Sequence, residues 1–256
     1  MTLDPLTIKE RERYDRQLLI EGIGEEGQAK IRDATVGIIG MGGLGSPVSM
    51  YLAAAGIGVL IIVDDQKVEA SNLNRQTLHW QEDADASRSK VDSAASKLIA
   101  MNPTLKVRRH PQRIGPENIR ALMDGADILV DCTDNFETRM ILNEFAIHES
   151  KPLVHGAVES LHGQITTMIA GRTPCLRCIF PHPPRRKASI PVLGSAAGVI
   201  GTIQATEVIK LITGLGEPLF GKLLVVDLRS NCYETVCIER DPNCCACGAT
   251  SDKNTR

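Results

Sequence analysis

The chain is poor in aromatic residues, carries almost no net charge and lacks a long apolar run. Aromatic side chains make up 3% of its 256 residues, which argues against the stacking platforms that bind single-stranded nucleic acid. The net charge of −2 gives no general attraction to DNA, RNA or an anionic membrane. No apolar run approaches the roughly 18 residues that span a bilayer, and no basic and apolar signal follows position 1. We therefore expect a cytoplasmic protein with neither a membrane nor a nucleic-acid partner.

The eight cysteines are, in that compartment, metal ligands or reduced thiols rather than disulfides. Four of them form two C-x-x-C pairs, Cys175-Leu-Arg-Cys178 and Cys244-Cys-Ala-Cys247. Each pair can bind one side of a tetrahedral zinc, and together they would close a structural Cys₄ site. Four unrelated thiols are the alternative, and the pairing favours zinc. Three further cysteines that lie in or beside predicted strands, and that we assign to the core, are Cys132, Cys232 and Cys237.

A glycine-rich turn follows a short apolar run that ends at residue 39. Gly40, Gly42 and Gly45 match the pattern G-x-G-x-x-G between a predicted strand and a predicted helix. This arrangement lets backbone N–H groups and a helix N-terminus approach a phosphate. Asp64 ends the next apolar run, about 20 residues further on, where a ribose-binding acid is expected. The context predicts a nucleotide site but leaves both a dinucleotide and ATP open.

Three charged side chains bear on which nucleotide binds. Arg75 and Lys90 follow the predicted strand 59–63, and Asp134 follows the predicted strand 128–131. Two cations and a carboxylate suit a triphosphate with a magnesium ion, whereas hydride transfer from a dinucleotide needs neither. From spacing alone, Arg75 and Lys90 are equally well explained as surface charges.

Strands and helices alternate from residue 35 to residue 157, which predicts an α/β fold with a Rossmann-like, mostly parallel sheet flanked by helices. Later strands, with one helix over 198–213, predict a smaller antiparallel extension of the same sheet. We expect one domain over 1–248, divided into N-terminal helical sequence at 7–32, a nucleotide-binding core at 35–157 and the extension with its zinc site at 160–248. A mobile, proline-rich loop is predicted at 180–187 and a disordered tail at 249–256.

Together these features resemble the bacterial ubiquitin-activating-like adenylyltransferases of the MoeB, ThiF and HesA type. The matching stretches are Arg13-Tyr-Asp-Arg-Gln17, Gly40-Met-Gly-Gly-Leu-Gly45, Ser71-Asn-Leu-Asn-Arg-Gln76, Asp131-Cys-Thr-Asp-Asn135 and both C-x-x-C pairs. The resemblance implies ATP, magnesium and zinc as cofactors. It also implies a substrate, the C-terminal Gly-Gly carboxylate of a ubiquitin-like sulfur-carrier protein.

The resemblance assigns roles to individual residues. Asp64 would hold the ribose hydroxyls, Asp134 would position magnesium, and Arg16 would act as an arginine finger in the site of the other subunit of a homodimer. Spacing alone had suggested only a solvated helix face for Arg16. The nucleotide-binding set is Gly40, Gly42, Gly43, Gly45, Asp64, Ser71, Asn72, Arg75, Gln76, Lys90, Asp134 and Asn135. The catalytic set is Arg16, Arg75, Lys90 and Asp134.

One departure from the family bears on the later steps. Members that bind the carrier covalently use a cysteine before the helix at 198–213, and we align that cysteine with Gly194. No cysteine occurs between Cys178 and Cys232. We therefore predict adenylation only, with sulfur delivered by a separate donor protein, because no sulfurtransferase domain follows Gly248.

Three alternatives remain at the level of sequence. A related enzyme adenylates and cyclises a carboxyl group on modified tRNA, which the near-neutral charge and the zinc cysteines disfavour. An NAD-dependent oxidoreductase would share the glycine turn but would leave Arg75, Lys90 and Asp134 without a purpose. A non-catalytic nucleotide sensor would not need them either.

Overall fold

The structure is a computed structural model that describes residues 4–182 and 190–248. In this part of the chain the strands are β1 (Thr35–Ile39), β2 (Val59–Val63), β3 (Lys106–His110), β4 (Ile128–Asp131), β5 (Leu153–Glu159), β6 (His162–Met168), β7 (Lys222–Asp227) and β8 (Cys232–Cys237). They form one sheet in the order β3-β2-β1-β4-β5-β6-β7-β8. The predicted mobile loop falls largely at 183–187 and the predicted tail at 249–256, both outside the described residues.

The sheet is parallel over its first five strands and antiparallel over the rest. β3, β2, β1, β4 and β5 pair in parallel, and this order matches one half of a Rossmann fold continued past its switch point. β6, β7 and β8 then add antiparallel to the β5 edge. The predicted fold class, a mostly parallel sheet with a smaller antiparallel extension, is confirmed.

Helices cover both faces of the sheet. In the described residues they are α1 (Ile8–Arg13), α2 (Asp15–Leu18), α3 (Gly24–Asp33), α4 (Gly45–Ala55), α5 (Gln81–Asp85), α6 (Lys90–Met101), α7 (Ile119–Leu122), α8 (Phe136–His148), α9 (Leu176–Ile179) and α10 (Gly194–Thr213). The two short helices α5 and α9 were not predicted, because four or five residues carry too little periodicity to be recognised.

The N-terminal helical sequence expected at 7–32 forms three separate helices, α1, α2 and α3. Thr7 caps the start of α1 with a capping box. The helical conformation is interrupted before α3, where Gly22 and Gly24 have φ values of +88° and +52°. Those values lie in the left-handed region that glycine tolerates best. The Tyr14 side chain is buried, and its hydroxyl accepts a hydrogen bond of 3.1 Å from Asn102 at the end of α6. The N-terminal helices are thereby fixed to the outside of the nucleotide-binding half.

The helix α10 begins four residues earlier than predicted and lies against α4 and the sheet. Its length and composition would allow it to cross a membrane, but half of its most apolar stretch is buried inside this fold. Close packing explains its small residues, because a Cβ at Gly201 would lie 2.5 Å from Cγ of Pro47. It is a core helix of the domain.

The buried apolar side chains form one cluster on each face of the sheet. Cys132 belongs to one of them, as predicted. The assignment of Cys232 and Cys237 to the core is wrong, because both are exposed on the edge strand β8. The sequence of an edge strand can alternate apolar and polar residues like that of an inner strand. Among the described residues, however, no helix or sheet covers this edge strand, so its side chains stay exposed.

Candidate nucleotide site and four-cysteine cluster

The glycine turn is pressed between the carboxyl ends of two strands. Gly40 has φ +94°, and its N–H donates to the Val63 carbonyl at the end of β2. A Cβ at this position would lie 2.6 Å from the Cys132 carbonyl oxygen, just after β4. At Gly45 a Cβ would lie 2.0 Å from the carbonyl oxygen of Gly40. Both contacts exclude a side chain, so the turn requires glycine at these two places.

Three backbone donors at this turn face no acceptor among the residues that the structure describes. In the described chain the N–H groups of Gly42, Gly43 and Leu44 make no hydrogen bond, and they precede α4, whose N-terminus carries partial positive charge. Beside Gly42 lies the buried amide of Gln76, whose Oε1 also has no hydrogen-bond partner there. The open N–H donors fit a bound phosphate group, whereas the Gln76 oxygen can only accept a hydrogen bond and therefore fits a donor group of the ligand.

Asp64 ties this turn to the end of β2. Its Oδ2 accepts a hydrogen bond from the N–H of Met41 at 2.8 Å, and its Oδ1 accepts one from the N–H of Gln66 at 2.8 Å. Each oxygen keeps a further lone pair for another donor. The position of Asp64 at the carboxyl end of β2 therefore agrees with the predicted contact to a ribose.

Lys90 is buried in the first turn of α6. Ser89 caps this helix, and Nζ of Lys90 donates to Oε1 of Gln66 at 2.6 Å while only 3% of the residue is exposed. Burial lowers the pKa of Lys90, against the opposing influence of the Asp64 and Asp134 carboxylates. Arg75 also acts on this charge. The structure thus brings together the charges that the sequence placed after separate strands, and Lys90 is not a surface charge.

Arg75 follows a short turn that is stabilised by hydrogen bonds within residues 69–75. The turn is a single 3₁₀ turn, Ala70–Asn72, in which Asn72 Oδ1 accepts a hydrogen bond from the N–H of Glu69 at 3.2 Å. The Arg75 guanidinium donates to the Ser71 carbonyl at 3.0 Å. Ser71 and Asn72 therefore shape the turn that holds Arg75 beside the glycines.

Asp134 projects from the turn that follows β4. It is exposed, and its Oδ1 accepts a weak hydrogen bond of 3.4 Å from the Asn135 amide. Asn135 is also the N-cap of α8, since its Oδ1 accepts a hydrogen bond from the N–H of Thr138 at 2.9 Å. Asn135 thus has a structural task that the sequence interpretation, which assigned it to nucleotide binding, did not include.

A buried polar network lies beneath Asp134, and the sequence interpretation missed it. Asp131 accepts hydrogen bonds from Thr133 through one oxygen and contacts His155 Nδ1 at 2.7 Å through the other. Arg139 lies 3.3 Å from the same carboxylate and donates to the Thr133 carbonyl at 2.7 Å. Burial alone would raise the pKa of Asp131, but Arg139 and His155 lower it. The network fixes the turn that carries Asp134.

This network predicts that acid destabilises the fold. Burial lowers the pKa of His155, against Asp131, which raises it, and with Arg139, which lowers it further. Below the ordinary histidine value of about 6.5, the unfolded chain therefore binds more protons than the folded one, and the free energy of unfolding falls as pH decreases. Denaturant titration at pH 7.5 and 5.5 measures this fall in the free energy of unfolding. The fall should be smaller for His155→Asn than for the wild type, because asparagine keeps a donor near Asp131 but cannot titrate. Equal losses in both proteins would contradict this explanation.

The first half of α10 supports both nucleotide-site loops. A Cβ at Gly194 would lie 2.3 Å from the Asn74 carbonyl oxygen and 3.1 Å from Cα of Arg75. One turn later, the Cβ of Ala197 lies 3.2 Å from where a Cβ at Gly43 would stand. Gly194 is thus the first residue of a helix packed against the Arg75 turn. The expectation that Gly194 lies in the loop before this helix is wrong, while its alignment with the family's cysteine stays a prediction.

A single added methyl group tests this packing. Gly194→Ala should weaken nucleotide binding by about tenfold or more, because displacing a positioning element by roughly 1 Å is that costly. Gly198→Ala is the matched control, since a Cβ there meets nothing within 4 Å and alanine favours a helix. Calorimetry with a non-hydrolysable ATP analogue measures both. Equal affinity in the two variants would contradict the proposed packing constraint.

The two cysteine pairs meet at the opposite side of the fold from α10. Sγ–Sγ distances are 3.9 Å for Cys175–Cys178, 3.7 Å for Cys175–Cys244 and 3.4 Å for Cys178–Cys247, and all four atoms lie within 4.8 Å of one another. A zinc–sulfur bond of about 2.3 Å places tetrahedral sulfurs roughly 3.8 Å apart. The four thiols therefore fit a tetrahedral metal ion.

Arg16 does not join the nucleotide site within one chain. Its side chain is 91% exposed and lies 3.8 Å from Asp15 in α2. Among the residues that the structure describes, it makes no ion pair with the charged groups around Lys90.

The sheet order, the open N–H groups and the converging charges are those of a Rossmann-like nucleotide-binding protein. The model of the ThiF family matches residues 14–246. The "SAMP-activating enzyme E1" of Haloferax volcanii is 41% identical over 253 residues, covering 97% of this chain and 92% of that protein. The "Adenylyltransferase and sulfurtransferase MOCS3" of Drosophila sechellia is 41% identical over 250 residues, covering 95% of this chain and 55% of that protein. The chain belongs to the ThiF family and is an adenylyltransferase.

Solved structures agree in fold. The microcin C7 biosynthetic enzyme MccB in complex with N-formylated MccA superposes with a TM-score of 0.84 at 23% identity, covering 95% of this chain and 77% of that chain. MccB of E. coli with MccA-N7isoASN gives 0.83 at 23% identity, covering 92% and 74%. At this identity the likeness shows the fold alone. The family assignment removes the support for an oxidoreductase that uses the same glycine turn.

Proposed function

We propose that the protein uses ATP to adenylate the C-terminal Gly-Gly carboxylate of a ubiquitin-like sulfur-carrier protein. The observation that carries this proposal is that Asp64, which binds the glycine turn through the N–H of Met41, acts together with Asp134 and Arg75 on the charge of buried Lys90. The named activities of the Haloferax and Drosophila relatives support the class of substrate. Residues 1–248 would form one adenylation domain, active in the cytoplasm.

In this site ATP would lie with its phosphates along the glycine turn and its ribose at Asp64. Arg75 and Lys90 would neutralise the charge that develops on the leaving pyrophosphate. The Asp134 carboxylate would hold a magnesium ion, which would supply further positive charge at the phosphates. Ser71, Asn72 and Asn135 would act mainly by shaping the loops around these groups, whereas Gln76 would offer its open Oε1 to a donor of the nucleotide.

The reaction needs no general base. A C-terminal carboxylate has a pKa of about 3.5, so it is already an anionic nucleophile at neutral pH. One carboxylate oxygen would bond to the α-phosphorus as the bond to the β-phosphate oxygen breaks, giving acyl-adenylate and pyrophosphate. The protein then has only to align the two groups and stabilise the leaving charge.

The carrier would leave this enzyme as the adenylate. No cysteine occurs between Cys178 and Cys232, and the thiol of Cys132 is buried, which raises its pKa far above the ordinary value. A separate protein would therefore supply the sulfur.

We propose that the enzyme is a homodimer in which Arg16 completes the partner's site. Its exposure, and that of Ile8 (84%) and Leu19 (71%) on the neighbouring helices, suit a contact surface. Co-expressed Arg16→Ala and Lys90→Met subunits should recover about a quarter of wild-type activity, because one site of each mixed dimer is intact. An arginine acting within its own subunit would give no recovery.

Exchange of labelled pyrophosphate into ATP tests the overall proposal. We expect exchange only with a carrier ending in Gly-Gly, and none when those two residues are removed. Exchange that is indifferent to the carrier tail would contradict the assignment of the substrate, and so would exchange that requires tRNA.

A further inference from the structure

We infer that His79 is a positioning residue that locks the peptide between Met41 and Gly42, so that the N–H of Gly42 faces the nucleotide. His79 is 3% exposed. Its Nε2 lies 2.8 Å from the carbonyl oxygen of Met41, and its Nδ1 lies 2.8 Å from Oγ of Ser93. This inference rests on the proposed function, because it concerns the same phosphate-binding turn.

The partners of His79 settle its tautomer. The Met41 carbonyl can only accept a hydrogen bond, so Nε2 must carry the proton. Burial lowers the pKa of His79 and favours the neutral ring, while Lys90, Lys97 and Asp83 are the charged groups that act on it. In a neutral ring Nδ1 is then an acceptor, and the hydroxyl of Ser93 donates to it.

The chain of contacts continues to a charged pair. Nζ of Lys97 donates to Oγ of Ser93 at 2.9 Å and forms a short contact with Asp83. Burial alone would raise the pKa of Asp83, but Lys97 and the N–H of Trp80 help to lower it to about 2. The Asp83 carboxylate therefore stays ionised across the physiological range, and Lys97, which contacts both Asp83 and Ser93, holds Ser93 in place for His79.

The peptide geometry connects this chain to the phosphate. In a trans peptide the C=O of one residue and the N–H of the next point in opposite directions. Holding the Met41 carbonyl on His79 therefore directs the Gly42 N–H to the other side. Glycine at 42 would otherwise allow this peptide to flip at little cost, and the flipped form would present a carbonyl oxygen to an anion. Asp64 holds the other end of Met41 through its N–H.

The test compares two substitutions at one position. His79→Leu removes the donor and should weaken binding of a non-hydrolysable ATP analogue by about tenfold, the effect of losing one orienting hydrogen bond. His79→Gln retains a side-chain N–H where Nε2 lies and should recover most of that affinity. Thr167→Val is the control, because it removes a buried hydrogen bond to Glu207 without touching the turn. It should lower thermal stability and leave ATP affinity unchanged.

Nitrogen-15 NMR of histidine-labelled wild-type enzyme adds a readout that does not depend on any variant folding. The inference requires an Nε2–H tautomer for His79. It is overturned by an Nδ1–H tautomer, or by His79→Leu and His79→Gln binding the analogue equally well, whatever their stability. A folding failure of His79→Leu leaves the tautomer and the affinity of His79→Gln to decide. Wild-type enzyme that binds no ATP would instead overturn the proposed function itself.

Discussion

Replacing Lys90 by methionine is expected to lower the rate of adenylate formation by about 10²–10³-fold, the usual cost of removing one preorganised charge from a reacting phosphate. The ammonium group is buried and held by Gln66 at 2.6 Å, so solvent cannot compensate for the loss of its charge. Methionine keeps the volume of the stem and therefore the packing of α6. The effect should appear in the rate constant of the first turnover, measured by rapid quench, more than in the thermal midpoint.

The control is Lys151→Met. Lys151 is a half-buried lysine that donates to the backbone carbonyl of Ala126, and it precedes β5 at the opposite end of the parallel strands. The Lys151→Met enzyme should form the adenylate at the wild-type rate. Asp134→Asn should resemble Lys90→Met and should also lose its response to magnesium concentration. A Lys90→Met enzyme with wild-type turnover would show that this lysine serves the fold and not the reaction.

Removing one ligand of the four-cysteine cluster is expected to have the largest effect on stability. Cys247→Ser should abolish binding of one zinc equivalent and lower the thermal midpoint by about 10 °C or more, a loss of several kcal/mol for a domain of this size. Burial raises the pKa of Cys175 far above the usual thiol value, so a four-thiolate cluster requires a divalent cation to compensate its charge. Elemental analysis and calorimetric melting measure the two effects.

Cys245→Ser is the matched control within the same turn. Cys245 is exposed and does not belong to the four-thiol group, so its loss should change neither metal content nor melting. The segment after β8 should also become sensitive to protease in Cys247→Ser, because the cluster joins it to α9. Full zinc content in Cys247→Ser would contradict the assignment of the cluster.

Local patterns predicted the parts of the fold that depend on neighbouring residues. β2 and β4 have the predicted bounds, since each is a continuously apolar run that ends at a charged residue. Failures occurred where distant contacts decide the structure. The start of α10 at Gly194 depends on the approach of the Arg75 turn, and nothing in the local sequence records that approach.

The same distinction applies to the site. Gly40, Asp64 and Asp134 could be proposed because each follows a strand end, and strand ends meet at one edge of a parallel sheet. Lys90 was separated from a surface charge only by the family resemblance. His79 and Arg139 carried no such signal. Their partners, Met41 and Thr133, lie on other elements, so their roles appear only once the chain has folded.

The most direct test of the central claim follows an oxygen atom. A carrier labelled with ¹⁸O in its C-terminal carboxylate is incubated with the enzyme and ATP, and the adenylate is released with hydroxylamine, which attacks the acyl carbon. The carboxylate oxygen that bonded to the α-phosphorus should then leave in AMP, and pyrophosphate should stay unlabelled. Label in inorganic phosphate, or AMP without label, would show that the carrier carboxylate does not attack the α-phosphate.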